Sequence, residues 1–394
     1  LVALIVIRIF VSWQFDSGIR GEPQVYKNMA ETFLTPVWDF MGRPPGYAAL
    51  LAGVFAVVDD RQTAAEIVNL VLALLTGLVV FDLARRLYGA RAGALGLLAY
   101  AIWPAAALMT AVSIPHIAFD LVVAATAWAA VTTRPGWKGD ALIGLGMAIA
   151  QYLRPTAPIL LPAYIVARWW PGGSWRSKTL TAVVAGAVFL LTLTPVVLYN
   201  LDRDGSPSIS TSDYGGHTLF IGTYEKGGGE FIAEASQLLI DRAGPDIRDR
   251  SALGTELALE RMRTDPLGVA WLGIRKQDTL WGTERYGAQY AIKQKLRDRP
   301  DHRQVTTPLL LSQAFYVMVL LLALAAMVAR RAERDALVPL ATLVIWAASA
   351  VHFFLEVRDR HHAYAVVLLL PLAAFTVAWA TERLQRRPRP NEPA

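Results

Sequence analysis

The chain has 394 residues, of which 54% are hydrophobic, and its mean hydropathy is +0.37. This composition excludes an ordinary soluble enzyme, and recurring apolar stretches long enough to cross a bilayer predict a polytopic α-helical membrane protein. The sequence contains no cysteine, which excludes disulfide bonds and thiol catalysis. The net charge of +6 fits the basic cytoplasmic loops of a membrane protein and does not indicate nucleic-acid binding.

About ten hydrophobic segments are predicted to cross the membrane. The first begins at Leu1 and contains Arg8, so we expect residues to be missing before it and do not expect a cleaved signal peptide. The apolar stretch 45–58 is short, about 14 residues, and is predicted to be interfacial or re-entrant. The approximate cores of the predicted spans are 1–15, 65–83, 92–110, 112–131, 140–152, 155–170, 179–199, 307–329, 336–354 and 363–381.

Lysine and arginine are concentrated in alternate loops between these spans. Arg85, Arg86 and Arg91 lie between the second and third spans, and further basic residues follow the fourth, sixth, eighth and last spans. Cytoplasmic loops carry an excess of such residues, so these loops are predicted to be cytoplasmic. The extracytoplasmic side then receives the first long loop (16–64) and the polar segment 200–306, with most of the residues of unusual chemistry.

The polar segment 200–306 divides the chain into three parts. It is predicted to be an extracytoplasmic domain between an N-terminal transmembrane module (1–199) and the C-terminal transmembrane helices with a basic cytoplasmic tail (307–394). Its Gly- and Ser-rich beginning favours loops and short strands. Amphipathic patterns predict helices at about 230–243 and 251–264, and a third helix starting at Asp265-Pro266 and lying at the membrane surface.

The first long loop contains the acids Asp16, Glu22, Glu31 and Asp39. A carboxylate that is partly desolvated near the bilayer can act as a general base, whereas a solvated loop acid would have no such role. Glu22 precedes Tyr26 by four residues, and "NMAETF" continues an apparent helix. The apolar sequence "GRPPGYAALLAG" follows, opened by two prolines.

This order of features resembles the GT-C superfamily of membrane glycosyltransferases. In its bacterial members, including protein O-mannosyltransferase-like enzymes and the lipid A aminoarabinose transferase, the first external loop reads acid-x-x-x-Tyr, a short helix, then Pro-Pro-Gly-Tyr-Pro. This chain has Glu22-Pro23-Gln24-Val25-Tyr26 and then Pro44-Pro45-Gly46-Tyr47. The turn in "QYLRPTAPILLP", the segment "GGHTLFIGTYEKGGGEF" and the late "VRDRHHAYAVVLLLPLAAF" are also similar to family segments, in the same order.

The resemblance implies an all-α polytopic membrane protein with the GT-C fold, about ten transmembrane helices and an extracytoplasmic mixed loop domain. It also implies a sugar donor linked to polyprenyl phosphate. Sugar nucleotides are normally cytosolic, so an external active site needs a sugar that is delivered on a lipid. The chemistry is substitution at the anomeric carbon by an acceptor hydroxyl, for which a base and cations around the leaving phosphate are needed.

The chain departs from the family pattern at two places. The loop acid of the family is usually Asp, whereas this chain has Glu22 followed by proline. Asp16 would be the counterpart if the loop is spaced differently, so Glu22 is assigned as the base with Asp16 as the alternative. Many members carry Ser-Glu at the start of the fourth span, where this chain has His116; that residue either takes the place of the acid or is an ordinary interfacial histidine. Asp120 is a secondary candidate because an acid inside a span is costly unless it faces a polar interior.

Cations on the predicted external side are few, and they are the candidates for binding the donor phosphate. Arg154 and Arg360 are the leading candidates because a guanidinium offers two parallel hydrogen bonds to a phosphate. For Arg358 and Arg360, the alternative is that they extend to the interface without a catalytic role. The predicted substrate-binding residues are Arg154, Arg360, Arg358, Lys276, Tyr26, His116 and His361.

No cofactor is evident in the sequence. His361 and His362 are adjacent and not at helical ligand spacing, so a metal site is not indicated, although Glu22 and a partner acid could hold a divalent ion. The expected acceptor is a lipid, a glycan or a protein hydroxyl, since the fold hosts all of these. The predicted location is the cell membrane, with the protein crossing it several times and the active site extracytoplasmic.

Two other functions compete with glycosyl transfer. A transporter or flippase of lipid-linked sugars would have symmetric halves and ionisable groups at mid-membrane, whereas this sequence concentrates such groups at one surface. A non-catalytic scaffold would leave the external acids and cations without a role.

Overall fold

The computed structural model describes residues 1–15, 21–35, 42–170, 172–295, 302–330 and 335–385. Within these ranges the secondary structure is helical, without a β-strand. Asp16, the alternative base, and the predicted basic tail beyond residue 385 lie outside the described residues.

The helices follow one another with short connections. The helices of the N-terminal part are α1 (Val2–Gln14), α2 (Glu22–Thr32), α3 (Gly46–Phe55), α4 (Arg61–Tyr88), α5 (Ala90–Ile102), α6 (Pro104–Thr110), α7 (His116–Thr132), α8 (Trp137–Leu153), α9 (Leu161–Trp169), α10 (Trp175–Thr192) and α11 (Thr194–Asp204). The later helices are α12 (Gly215–Thr223), α13 (Ala233–Ala243), α14 (Ile247–Thr264), α15 (Pro266–Trp281), α16 (Tyr286–Lys295), α17 (His302–Arg330), α18 (Leu337–Phe354) and α19 (Ala363–Gln385). Short 3-10 helices cover Ala157–Leu160, Glu225–Gly227 and Asp359–His362.

Every predicted span corresponds to a helix, but fewer helices are long enough to cross a bilayer. By length and composition, four of the described helical segments qualify, or up to six if each of two bent pairs is one span. The bent pairs are α5 with α6, at 58°, and α10 with α11, at 50°. Pro104 and Pro195 lie in the first turns of α6 and α11, where proline is tolerated because its missing N–H has no partner there. The chain is a multi-pass membrane protein, and ten crossings remain a prediction.

The last helix forms the centre of the packed helices. From Tyr364 to Ala374, every side chain of α19 is buried, and the helix packs against α4, α5, α7 and α17. A helix that is apolar on all sides is typical of such a central position. The polar turn that precedes α19 is thereby fixed against the ends of the surrounding helices, and this turn carries Arg360.

The Pro-Pro-Gly-Tyr motif fixes the start of α3 against the end of α8. A Cβ atom added to Gly46 would lie 2.7 Å from the backbone oxygen of Tyr152, so only glycine fits this approach. The Tyr47 hydroxyl donates to Asn69 Oδ1 at 2.8 Å, and the Tyr47 ring meets the Tyr26 ring edge-on, with centroids 5.6 Å apart. The motif therefore positions α2, which carries Glu22.

We expect Gly46→Ala to destabilise the protein by about 1–3 kcal/mol, because the added methyl group meets backbone that cannot move aside without displacing α3. The measurement is the thermal unfolding midpoint of the purified protein in detergent. Gly53→Ala is the matched control on the same helix, since a Cβ atom there meets nothing within 4 Å. Equal midpoints for the two variants would contradict this role of Gly46.

Residues 215–295 differ in part from the predicted loop domain. The three helices expected there are present as α13, α14 and α15, and Asp265 Oδ1 accepts from the Gly268 N–H at 2.9 Å as the expected helix cap. The turn-rich stretch expected to form loops and short strands contains α12 instead. A Cβ at Gly216 would lie 1.9 Å from the Ser251 backbone oxygen, so glycine lets α12 pack closely on α14. This tertiary contact overrides the local preference of Gly and Thr for irregular structure.

Candidate active site

Glu22 is the first residue of α2 and is held between two arginines. Its Oε2 accepts a hydrogen bond from Arg360 Nη1 at 3.1 Å, and its Oε1 lies 3.6 Å from Arg43 Nη1. Gly21 precedes it with φ of 67°, which favours glycine, and Pro23 lies in the first helical turn. The Glu-Pro pair thus begins a helix, and a carboxylate is favoured in the first turn by the helix dipole.

The carboxylate of Glu22 is mostly ionised at neutral pH. Burial, which leaves its side chain 20% exposed, would by itself raise the pKa, but the positive charges of Arg360, Arg43 and Arg154 outweigh this effect. The pKa of Glu22 is therefore held below its ordinary value. A carboxylate in this state can accept a proton, provided that one of its arginine partners moves or is shared with a substrate.

Arg360 is fixed from several directions. Its Nη1 also donates to the Tyr286 hydroxyl at 2.6 Å, and its guanidinium lies 4.3 Å from the centre of the Tyr286 ring. Asp359 connects the two backbones, because its Oδ1 accepts from the Arg360 N–H and its Oδ2 from the Tyr286 N–H, both at 2.8 Å. These hydrogen bonds hold the start of α16 against the turn before α19, next to Glu22.

Arg154 lies at the end of α8, where Pro155 follows and the backbone is extended. Its guanidinium lies 5.1 Å from the centre of the Phe119 ring. No hydrogen bond or ion pair joins this guanidinium to another side chain in the ranges that the structure describes. Its positive charge nevertheless acts on Glu22 and on Tyr26, where it opposes the rise in pKa that burial causes. Arg154 is thus a cation beside the Glu22 cluster that is available for an anionic ligand.

Tyr26 and Arg43 complete the cluster. Tyr26 is buried one helical turn after Glu22, and burial, reinforced by the charge of Glu22, raises the pKa of its hydroxyl to about 12, so it stays protonated. Arg43, just before the Pro-Pro-Gly-Tyr motif, is close enough for its charge to act on the Tyr26 hydroxyl, and its guanidinium lies 4.7 Å from the centre of the Tyr214 ring. The cluster of Glu22, Tyr26, Arg43, Arg154 and Arg360 is called the Glu22 cluster below.

The structure places Lys276 and Arg358 outside this cluster. Lys276 is 1% exposed, and its Nζ donates to the carbonyl oxygens of Gly222 and Leu355 at 2.7 and 3.0 Å. It therefore connects the backbone segments around these two residues. Burial lowers the pKa of Lys276 to about 7. Arg358 donates to Glu230 Oε2 at 2.9 Å and to the carbonyl oxygen of Phe231.

His116 and His361, the two histidines predicted to bind substrate, lie near the Glu22 cluster. His116 is buried at the start of α7, and neither of its ring nitrogens has a hydrogen-bond partner in the described parts of the chain. His361 stacks on His352 with ring centroids 4.5 Å apart, and its Nδ1 is buried without a partner. Buried ring nitrogens without a partner are rare in folded proteins, so these two histidines offer hydrogen-bonding groups that a ligand can use.

Arg43, Tyr286 and Asp359 are site residues that the sequence analysis did not select. Arg43 directly precedes the recognisable Pro-Pro-Gly-Tyr motif, and this position could have identified it as a site residue. Tyr286 and Asp359 carry no such signal, since their role depends on a contact between segments 73 positions apart. Among the residues with described side chains, no group of three or more His, Asp or Glu is arranged to hold a metal ion.

Residues 42–199 match the family described as dolichyl-phosphate-mannose-protein mannosyltransferase. This region includes the Pro-Pro-Gly-Tyr motif, Arg43 and Arg154. No curated protein matches the chain.

Several solved structures resemble the chain at low sequence identity. The oligosaccharyltransferase AglB of Archaeoglobus fulgidus, in complex with an inhibitory peptide and a dolichol-phosphate, has a TM-score of 0.56 and 14% identity, over 100% of this chain and 52% of that chain. The apo Archaeoglobus fulgidus oligosaccharyltransferase has a TM-score of 0.54 and 12% identity, over 98% and 51%. ArnT from Cupriavidus metallidurans bound to undecaprenyl phosphate has a TM-score of 0.42 and 16% identity, over 100% and 81%.

The chain spans about half the length of these oligosaccharyltransferases. At this low identity the likeness shows a shared fold. In its described ranges the chain is all-helical and shares the fold of these oligosaccharyltransferases, and residues 42–199 match the mannosyltransferase family.

Proposed function

We propose that the protein transfers a sugar from a polyprenyl-phosphate-linked donor to an acceptor hydroxyl, with Glu22 as general base, on the extracytoplasmic side of the plasma membrane. The observation that carries this proposal is the Glu22 cluster itself. An ionised carboxylate lies in contact with Arg360 and Arg43, and Arg154 lies nearby over the Phe119 ring, without an ion pair to a described residue. One base and several cations are what the reaction needs.

The donor class is supported by the comparisons and by the position of the cations. The family matched by residues 42–199 is described by a dolichyl-phosphate-mannose donor, and AglB was solved with a dolichol-phosphate. A phosphodiester carries one negative charge, and guanidinium groups bind it through charge-assisted hydrogen bonds. Arg154 and Arg360 are far apart in the sequence, yet the charges of both lower the pKa of Glu22, so a phosphate bound by them would lie beside the base.

The transfer step balances with these groups. The acceptor oxygen attacks the anomeric carbon, the new C–O bond forms, and the bond between that carbon and the phosphate oxygen breaks. The acceptor proton passes to the carboxylate of Glu22, and polyprenyl phosphate leaves with the electron pair of the broken bond. Arg154 and Arg360 stabilise the charge that develops on the leaving phosphate. Tyr286 orients Arg360 through its hydroxyl and its ring.

The proposal predicts that the purified protein, in liposomes, consumes a polyprenyl-phosphate sugar and releases polyprenyl phosphate. The sugar is unidentified, so the assay uses a panel beginning with the mannose donor, with lipid, glycan and peptide acceptors, in the presence and absence of EDTA. Thin-layer chromatography of radiolabelled donor measures the release. Movement of the intact donor between the two leaflets without its consumption would instead indicate a flippase. No consumption of any donor in the panel would count against glycosyl transfer.

A further inference from the structure

A polar cleft adjoins the Glu22 cluster at Arg360. It is lined by Trp103, His116, Asp120 and Glu284, with Arg360 at its edge. The space between the atoms is about 410 Å³ when its open mouth is included, but only about 30 Å³ of it is wide enough for water. The cleft is therefore narrow, and its lining comes from helices far apart in the sequence.

The cleft contains polar atoms that have no partner in the described parts of the chain. Glu284 Oε1 accepts from Trp103 Nε1 at 2.9 Å, but Glu284 Oε2 is buried without a hydrogen bond. Both ring nitrogens of His116 are in the same state, and the Asp120 carboxyl group also lines the cleft. These three side chains are between 5% and 7% exposed. Since buried polar atoms nearly always have a partner, the cleft is suited to a ligand that supplies one.

The chemistry of these atoms defines that ligand. A carboxylate oxygen accepts hydrogen bonds, a protonated carboxyl group can also donate one, and an imidazole can donate or accept, so Glu284, Asp120 and His116 suit a ligand that does both. Hydroxyl groups do both. Among the described residues that line the cleft, Arg360 is the one lysine or arginine and is already paired with Glu22, so an anionic substituent would meet buried acids without a free cation of that kind. The Trp103 ring adds an apolar wall against which C–H groups can pack.

We propose that this cleft binds the hydroxyl groups of the donor sugar and selects an uncharged sugar ring. The inference rests on the proposed function, because Arg360 belongs to both sites and donates to Glu22 Oε2 at 3.1 Å. A sugar whose hydroxyl-bearing edge enters the cleft has its anomeric carbon at the mouth, next to the base and the phosphate-binding arginines. The cleft as it stands is too narrow for a whole sugar ring, so entry of the ring requires the Arg360 side chain to leave its contacts with Tyr286.

The test compares two lipids that differ only in the sugar. Isothermal titration in detergent measures the affinity of the protein for polyprenyl phosphate mannose and for polyprenyl phosphate. Glu284→Gln is expected to bind the mannose lipid about tenfold more weakly, as for loss of one charge-assisted hydrogen bond, and to bind polyprenyl phosphate as the parent protein does. Arg154→Gln is expected to weaken the binding of both lipids. Glu234→Gln, on the exposed surface of α13, is the control that should change neither affinity.

The outcomes separate the cleft from the proposed function. If the parent protein binds neither lipid, both proposals fail. If it binds both lipids and Glu284→Gln binds the mannose lipid normally, or weakens both lipids equally, the cleft is not the sugar site and the donor class stands. If Glu284→Gln does not fold, Asp120→Asn is measured in its place. It is expected to show the same selective loss of affinity for the mannose lipid. A uronic-acid donor that binds as tightly as the mannose donor would overturn the selection for an uncharged ring.

Discussion

Replacing Glu22 by glutamine is expected to lower the turnover number for sugar transfer by about 10²–10⁴-fold, the usual contribution of a general base. Glutamine has nearly the same shape and its side-chain oxygen can still accept the hydrogen bond from Arg360, but it cannot take the proton of the acceptor hydroxyl. The donor affinity should change far less than the turnover number. The measurement is release of polyprenyl phosphate under saturating donor, with folding checked by size-exclusion chromatography and the unfolding midpoint.

Glu31→Gln is the matched control for this substitution. Glu31 lies on the same helix, but it pairs with Lys27 and Arg61 at 3.7 and 3.8 Å, away from the Glu22 cluster. It should retain the parent activity. If Glu22→Gln is active while Asp16→Asn is inactive, the base is Asp16. If both variants remain active, a carboxylate of this loop is not the base at all.

Most residues of the Glu22 cluster could be selected as site residues from the sequence alone. Glu22 and Arg360 are 338 positions apart, yet the alternation of basic loops predicted the same side of the membrane for both. Arg154 was selected because a cation in a short external turn runs against that alternation. The structure has these residues close together at the ends or breaks of helices.

Which partner each cation binds could not be read from the sequence. Lys276 and Arg358 satisfy the same charge and location criteria as Arg360, but Lys276 binds two carbonyl oxygens and Arg358 binds Glu230. Their partners lie on segments that meet only in the folded chain. The helix α12 was missed for a related reason, since its stability comes from close packing on α14 through glycine and not from its own propensity.

Replacing Arg360 by glutamine is expected to change both the donor kinetics and the pH dependence. Loss of a charged hydrogen bond to the donor phosphate should lower kcat/KM by about 10–100-fold. In addition, Glu22 would lose the partner that most strongly opposes the effect of burial, so the pKa of Glu22 should rise. A general base is active only when deprotonated, so activity would begin to fall at a higher pH than in the parent protein.

The pH profile distinguishes this role from a purely structural one. The Glu22 pKa is held below its ordinary value in the folded protein, so the pair with Arg360 stabilises the protein above the ordinary pKa of Glu22, and this contribution is lost as the pH falls through the folded value. Arg358→Gln is the comparison, because that arginine lies two positions earlier and pairs with Glu230 outside the Glu22 cluster. It should keep the acid limb of the parent protein. An unshifted acid limb in Arg360→Gln would mean that Arg360 does not control the protonation of the base, and the ion pair between Glu22 and Arg360 would then have only a structural role.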